Sequence, residues 1–182
     1  MKNSKYIFTL IGLFFLFSCG NELKKTESEP EIVEVNTTEK KVYTAANSEA
    51  TFKDPKVGAV YENYIQLKTA LVNSNASNTA TAGASLLTAF KNVEADQVVL
   101  EATQTISASD DVEAQRVAFV TVTNAVEKML DGALESGVIY KQFCPMAFDF
   151  EGGYWLSNSK QIYNPYFGDK MLRCGKVDSE IR

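Results

Sequence analysis

The sulfur-bearing side chains near the C-terminus are the residues of this 182-residue chain best suited to chemistry. Cys144 and Met146 are two positions apart, and Met171 and Cys174 are three apart. The first spacing places both sulfurs on one face of an extended segment, and the second places both on one side of a helical turn. Thiolate and thioether sulfurs are soft donors, which select Cu(I) over hard cations such as Mg²⁺. The four residues therefore predict a soft-metal site that prefers Cu(I).

The same two cysteines also fit a simpler interpretation, a structural disulfide between Cys144 and Cys174. In the chain-entropy model, closing a loop of about 31 residues stabilises the folded state by roughly 3–4 kcal/mol. Met146 and Met171 would then be ordinary apolar fillers. A third interpretation combines the two, with a site that binds metal only when its cysteines are reduced. The sequence leaves these three alternatives open.

Catalysis is a poor match for this composition, because the chain contains no histidine. Serine and cysteine hydrolases, HExxH metalloproteases, Cys2His2 zinc sites and blue-copper sites all need one. Three acids near the sulfur residues, Asp149, Glu151 and Asp169, could form a carboxylate pair but are more typical of solvated turns. Gly152-Gly153 has no phosphate-binding context and indicates a turn. The chain is therefore predicted not to be an enzyme.

Aromatic side chains in the same segment offer a further possibility, a face that binds a sugar, a peptide or a protein partner. Its candidate residues are Tyr154, Trp155, Tyr163 and Tyr166. Such rings more often form part of a core, although exposed aromatic patches commonly mark interfaces.

The first nineteen residues are similar to a bacterial lipoprotein signal. Two lysines precede an apolar run over residues 7–17, which is short for a transmembrane span. The run leads into Leu16-Phe17-Ser18-Cys19, which resembles the lipobox whose cysteine becomes the acylated N-terminus of the cleaved protein. Residues 1–18 are thus predicted to be a signal peptide, with a lipid anchor on Cys19. The alternatives are an ordinary signal peptide and an N-terminal anchor helix with an incidental cysteine. Gly20, in place of an aspartate, favours an outer-membrane lipoprotein that faces the periplasm.

Composition separates a spacer from a domain. The formal net charge is −5, and loss of the signal peptide removes two lysines, so a nucleic-acid partner is not expected. From Cys19 to residue 56 the chain is rich in Glu, Lys, Thr and Ser, which predicts a flexible tether. Residues 57–182 are long enough for one domain with a modest core. The number of cysteines agrees with export, because lipidation of Cys19 leaves one pair, Cys144 and Cys174, in an oxidising compartment where disulfides persist.

Apolar periodicity within that domain predicts four helices. The first starts at Val57 and keeps its apolar stripe to Val72, with Lys68 as the one interruption. A second is predicted after an N-cap at Asn78. A third, over residues 98–106, contains β-branched residues that would also suit a strand.

The fourth helix has the best start signal, with Ser109 as N-cap and acids in the first turn, and Gly137 is expected to close it. Short links between four helices predict a mainly α fold, an up-and-down bundle. Residues 137–182 are expected to add a small aromatic-rich module. Within it, residues 138–143 and 154–156 would form a short β-hairpin around Gly152-Gly153.

Residues 140–177 resemble the signature of an uncharacterised bacterial family. The residues that carry the resemblance are Tyr140, Cys144-Pro145-Met146-Ala147, Gly153, Trp155-Leu156-Ser157, Ile162, Asn164-Pro165-Tyr166-Phe167-Gly168, Met171 and Cys174-Gly175. Upstream, Tyr64, Leu71 and Arg116-Val117-Ala118-Phe119 fit a looser pattern.

Members of that family are stand-alone lipoproteins, or C-terminal appendages of the periplasmic adaptors of RND-type heavy-metal efflux systems. The resemblance therefore implies a place in the cell envelope, a link to copper or related soft metals, and an efflux adaptor or another envelope protein as a partner. It implies no enzymatic activity.

Overall fold

The computed structural model describes residues 42–182. The predicted signal peptide (1–18), the acylated Cys19 and the first part of the predicted tether lie outside the described residues. No helix in the described part of the chain is long and apolar enough to cross a membrane.

Four helices form most of the domain: α1 (Pro55–Val72), α2 (Ala76–Asn92), α3 (Gln97–Ala108) and α4 (Val112–Met129). Each helix packs against the next, and α4 also contacts α1 and α2. The links between them are three or four residues long, so neighbouring helices run antiparallel. Together with the small antiparallel sheets at the C-terminal end, this confirms the prediction of a mainly α fold with a small β module.

Two of the predicted helix starts were wrong by a few residues, because an earlier or later polar side chain is the actual cap. Asn75, not Asn78, is the N-cap of α2, and its side chain accepts a hydrogen bond from the Asn78 backbone N–H. Asp111, not Ser109, is the N-cap of α4, and its carboxylate accepts from the Glu113 N–H. Ser109 instead follows the last residue of α3.

The predicted closure of α4 at Gly137 was also wrong. The helix ends at Met129, and a turn through Gly132, with φ of +64°, leads into the short strand β2 (Leu134–Ser136). Gly137 has φ of +85° and separates β2 from β3. A β-carbon there would lie 2.4 Å from the Glu49 carbonyl oxygen, so this glycine permits the chain after β2 to approach residues 49–50 closely.

The segment before α1 is attached to the domain, although it falls in the range predicted as a tether. Strand β1 (Thr51–Phe52) pairs antiparallel with β2. The Tyr43 N–H donates to the Asn73 side-chain oxygen at 2.9 Å, and the Asn73 amide donates to the Tyr43 carbonyl at 2.9 Å. Asp54 is the N-cap of α1, so the helix begins at Pro55, two residues before the predicted start.

The second sheet has three antiparallel strands: β3 (Ile139–Cys144) lies between β4 (Gly153–Ser157) and β5 (Lys176–Ile181). The predicted hairpin corresponds to β3 and β4, with Tyr140 opposite Ser157 and Cys144 opposite Gly153. On the other edge, Phe143 pairs with Lys176. The chain just before β5 therefore runs past Cys144.

One continuous core joins the helices to this sheet, and polar contacts strengthen the junction. The buried Tyr64 hydroxyl contacts the Thr123 hydroxyl at 3.1 Å and accepts a bond from the Leu156 N–H in β4 at 3.0 Å. Arg116 is 2% exposed on α4, and its Nε donates to the Pro165 carbonyl at 2.8 Å.

Candidate functional site

Two cysteines that lie 30 positions apart in the chain meet at one edge of the three-stranded sheet. Cys144 is the last residue of β3 and is fully buried, and Cys174 is partly buried just before β5. Their Sγ atoms are 2.9 Å apart, and both are free thiols. The antiparallel register of β3 and β5 produces this contact, because it passes the chain before Lys176 alongside the end of β3.

Asn164 positions the backbone on the Cys174 side. Its side-chain amide donates to the Cys174 carbonyl at 2.8 Å, and its side-chain oxygen accepts from the N–H groups of Tyr166 and Phe167. Asn164 is fully buried, so these bonds are protected from water. The Asn164-Pro165-Tyr166-Phe167-Gly168 segment thus fixes the turn that delivers Cys174 to Cys144.

Glycine is required immediately after Cys174. Gly175 has φ of +144°, and a β-carbon there would lie 2.7 Å from the Trp155 ring and 3.0 Å from the Phe143 carbonyl oxygen. The absence of a side chain lets the Cys174 backbone approach the sheet closely.

The environment of the pair disfavours a thiolate on Cys174. Burial, together with the adjacent Cys144 thiol, raises the pKa of Cys174 to about 11, and a backbone hydrogen bond from Met146 opposes this effect. Cys174 must therefore lose its proton before the pair can act as a dithiolate ligand. At neutral pH the reduced Cys174 is a protonated thiol.

The two methionines differ from the cysteines in their surroundings. Met146 is 39% exposed and Met171 is partly buried. Neither packs against the hydrophobic core to which Cys144 belongs. Within residues 42–182, no hydrogen bond joins a methionine sulfur to either cysteine. The structure thus brings two of the four predicted sulfur ligands into contact, with Met146 near them through its backbone.

Among the described residues, no group of three or more His, Cys, Asp or Glu side chains is arranged to hold a metal ion. A metal at this place would have to use the two cysteines, with methionine or an external ligand to complete its coordination.

The turn after Met146 is conformationally unusual. Phe148, Asp149 and Phe150 have φ of 53°, 55° and 74°, so three consecutive non-glycine residues are left-handed. Such conformations cost roughly 1–2 kcal/mol per residue for L-amino acids. Phe150 is also 77% exposed. Strained backbone of this kind is concentrated at functional sites, and here it adjoins the sulfur pair.

The four predicted binding-face aromatics do not share one exposed surface. Trp155 is fully buried and Tyr166 is 5% exposed, because both rings belong to the core. Tyr154 is 37% exposed and packs against Phe143, with ring centroids 4.5 Å apart. Tyr163 is partly buried and lies beside Tyr43.

Two buried polar residues support the site without having been predicted as functional. Gln142 accepts a bond from the Trp155 indole N–H at 2.6 Å, which fixes the ring that covers Gly175. Asn164 is the second. The Asn164-Pro165 pair is a recognisable turn signal in the sequence. The bond from the Asn164 side chain to Cys174, ten positions away, cannot be read from that signal.

Comparison with known proteins bears on the helical part. Residues 60–136 match the model of a family described as "Protein of unknown function (DUF3347)". The match runs from α1 to β2, so it excludes the segment with Cys144 and Cys174. It agrees with the resemblance to an uncharacterised family. No curated protein and no solved structure matches the chain.

Proposed function

We propose that this protein binds a soft metal ion, Cu(I) by preference, through Cys144 and Cys174 in the cell envelope. The observation that supports the proposal is the thiol–thiol contact of 2.9 Å between residues 30 positions apart. A disulfide alone would account for the contact but would give the site no activity. Two thiols without oxygen or imidazole ligands form a donor set that discriminates in favour of soft ions.

To bind a metal ion, the two sulfur atoms must move slightly further apart than the 2.9 Å seen in the structure. A metal held at about 2.3 Å from each of two thiolates needs them roughly 3.7 Å apart or more. Cys144 is fixed within β3, whereas Cys174 is partly buried and follows a turn closed by its N–H bond to the Met171 carbonyl. Since Asn164 holds the Cys174 backbone, the movement that metal binding needs is one of the Cys174 side chain. Met146, exposed and adjacent, supplies the third sulfur, and Met171, at the other end of the turn, a fourth.

Proton release is a distinctive consequence of the buried pair. Since the Cys174 thiol, whose pKa is raised to about 11, must lose a proton to become a ligand, the apparent Cu(I) affinity should rise by at least about tenfold for each pH unit between pH 6 and pH 8. A site made from exposed methionines alone would show almost no pH dependence, because thioethers do not titrate.

The test is a titration of the reduced protein with Cu(I) against a competing chelator. Cys144→Ser/Cys174→Ser should lose at least a hundredfold in affinity, and Met146→Leu and Met171→Leu should lose less. Met129→Leu is the matched control, because Met129 packs in the helical bundle. Unchanged affinity in the double cysteine variant would refute the proposal.

The cellular setting is part of the same proposal. We place the protein as an outer-membrane lipoprotein that faces the periplasm, anchored by Cys19, with an efflux adaptor or another envelope protein as its partner. The lipobox-like sequence and the resemblance to adaptor appendages support this setting. Labelling of cells that express the wild type and Cys19→Ser with radioactive palmitate tests the anchor, and only the wild type should incorporate the label.

A metal-free interaction module with a Cys144–Cys174 disulfide is the second candidate. The 2.9 Å contact favours this candidate, because the two sulfur atoms need to move only a short distance to form a disulfide bond. In exchange with a partner disulfide, the two thiols give up two protons and two electrons, and the partner is reduced to two thiols. Alkylation and mass spectrometry of protein purified without reductant decide the matter. Two alkylated cysteines would exclude the disulfide, and none would support it.

A further inference from the structure

A second site is suggested by a cavity away from the sulfur pair, beside α1. It has a volume of about 240 Å³ and is walled by α1, by residues 43–46 and by the chain that follows β4. The wall residues that matter for binding are Tyr43, Lys68, Ser157, Asn158, Gln161 and Tyr163. Cys144, Cys174 and the two methionines near them are absent from this wall.

Lys68 is the unusual residue of the cavity. It interrupts the apolar stripe of α1 and is only 5% exposed. Among the residues that the structure describes, its ammonium group has no hydrogen-bond or ion-pair partner. Burial lowers the pKa of Lys68 to about 8. Charged groups that are largely removed from water are normally paired, and the Lys68 ammonium, which is not among the fully buried unpaired atoms, keeps some access to solvent on the wall of this cavity. An anion that enters the cavity could therefore pair with it.

The other polar groups on the wall leave hydrogen-bond donors available. The Ser157 oxygen accepts from the Ser159 N–H at 3.4 Å, which leaves its own hydrogen to donate. The Gln161 side-chain oxygen accepts from the Tyr163 hydroxyl at 3.0 Å, which leaves its amide hydrogens. The only other titratable groups on this wall are the phenols of Tyr43 and Tyr163, and no carboxylate of the described residues lines it.

The cavity walls are held in place by specific bonds. The Asn158 amide donates to the Ala46 carbonyl at 2.8 Å, while its oxygen accepts from the Tyr61 hydroxyl at 2.7 Å. On the opposite side, Asn73 bonds both backbone groups of Tyr43. A ligand would therefore enter a preformed site, with little cost of ordering.

We propose that this cavity binds a small carboxylate, with the Lys68 ammonium as its counter-ion and the hydroxyl and amide groups of Ser157 and Gln161 as further donors. A single cation matches a monoanion. Phosphate recognition more often uses the fork of an arginine or several backbone N–H groups, and no arginine lines the wall. The cavity is smaller than a typical drug-sized pocket, which limits the ligand to a few heavy atoms.

The test is an NMR titration of the full-length, ¹⁵N-labelled protein in detergent with sodium butyrate, at constant ionic strength. We expect saturable shifts of the amide signals of Ser159, Gln161 and Tyr163, with a Kd below about 10 mM. Lys68→Met should weaken binding by about tenfold or more, because it removes a charge-assisted hydrogen bond. Lys91→Met, at an exposed position on α2, is the matched control and should bind as the wild type does.

Two further ligands separate this proposal from its alternatives. Butyramide has the shape of butyrate without the charge and should bind at least tenfold more weakly; equal binding would show that Lys68 is not a counter-ion. Inorganic phosphate that bound more tightly than butyrate would overturn the carboxylate assignment. The absence of saturable shifts with butyrate, or undiminished binding in Lys68→Met, would overturn the site itself.

Discussion

The helical bundle and the C-terminal module satisfy their buried polar groups in different ways. In the bundle, the Thr79 and Thr103 hydroxyls donate to carbonyls four residues earlier on their own helices. In the module, the bonds reach much further: Trp155 to Gln142, Asn164 to Cys174, and Arg116 of α4 to Pro165, 49 positions away. The bundle thus combines local bonds with a few long-range ones, such as the contact of Tyr64 with Thr123, whereas the module depends on long-range contacts. Single substitutions at those contacts should affect the module most.

The largest effect is expected at Arg116, which connects the two regions. Its guanidinium bonds Pro165, Leu71, Ser74 and Glu113 from a position that is 2% exposed. Arg116→Met should lower the free energy of unfolding by about 3–5 kcal/mol, since it leaves buried acceptors unpaired. Urea denaturation measures this. Glu113→Gln, at a side chain 59% exposed, should cost less than about 1 kcal/mol. Equal effects would show that the long-range bonds do not dominate.

The next largest effect concerns the sulfur pair. Oxidation of Cys144 and Cys174 should raise the free energy of unfolding by about 3–4 kcal/mol over the reduced protein. Denaturation with and without reductant gives the difference. Cys144→Ser/Cys174→Ser should show no dependence on reductant. A reductant effect that persists in this variant would place its origin elsewhere in the chain.

Lys68 provides a test inside the bundle. Its pKa, lowered by burial to about 8, means that between pH 8 and pH 10 the unfolded chain binds more protons than the folded one. Wild-type stability therefore gains from this residue as the pH rises. Lys68→Met should be more stable than the wild type at pH 7 by roughly 2–3 kcal/mol, and the advantage should shrink towards pH 10.

Denaturation midpoints of both proteins, measured in carboxylate-free buffer, give that difference directly. The buried tyrosines, whose pKa values are raised by burial, contribute equally to both proteins and cancel. A stability difference that did not change with pH would mean that Lys68 keeps its ordinary pKa.

The smallest effect is expected in the left-handed turn after Met146. Phe150→Gly removes the strain of φ at 74°, whereas Phe150→Ala removes the same ring but keeps the strain. We expect the glycine variant to be more stable than the alanine variant by up to about 1 kcal/mol, because the flexibility of unfolded glycine offsets part of the gain. Thermal denaturation of the two variants measures this difference in stability. An alanine variant as stable as the glycine variant would rule out strain at this residue.

The sequence predicts the bundle well because helical periodicity is a local property. It predicts the β3–β4 hairpin for the same reason, from a glycine pair between two apolar segments. It fails at β5, whose residues are mostly exposed and charged, so that no alternation marks the strand. It also fails at β1, a two-residue strand whose existence depends on its partner β2.

The candidate sites follow the same division. Cys144 and Cys174 are identifiable from residue type, and the structure does bring them together. The surroundings of the methionines depend on tertiary packing, which spacing does not encode. Lys68 is visible in the sequence only as a flaw in a helix stripe. Its significance arises from residues 43–46 and 157–163, which pack over it from distant parts of the chain.

The Tyr43–Asn73 pair has a mechanical consequence. Tension applied at Val42 would act first on Tyr43 and, through its two bonds to Asn73, on the C-terminal end of α1. Because residues 43–46 also form one side of the Lys68 cavity, such a force would load the wall of that pocket before it loads β1.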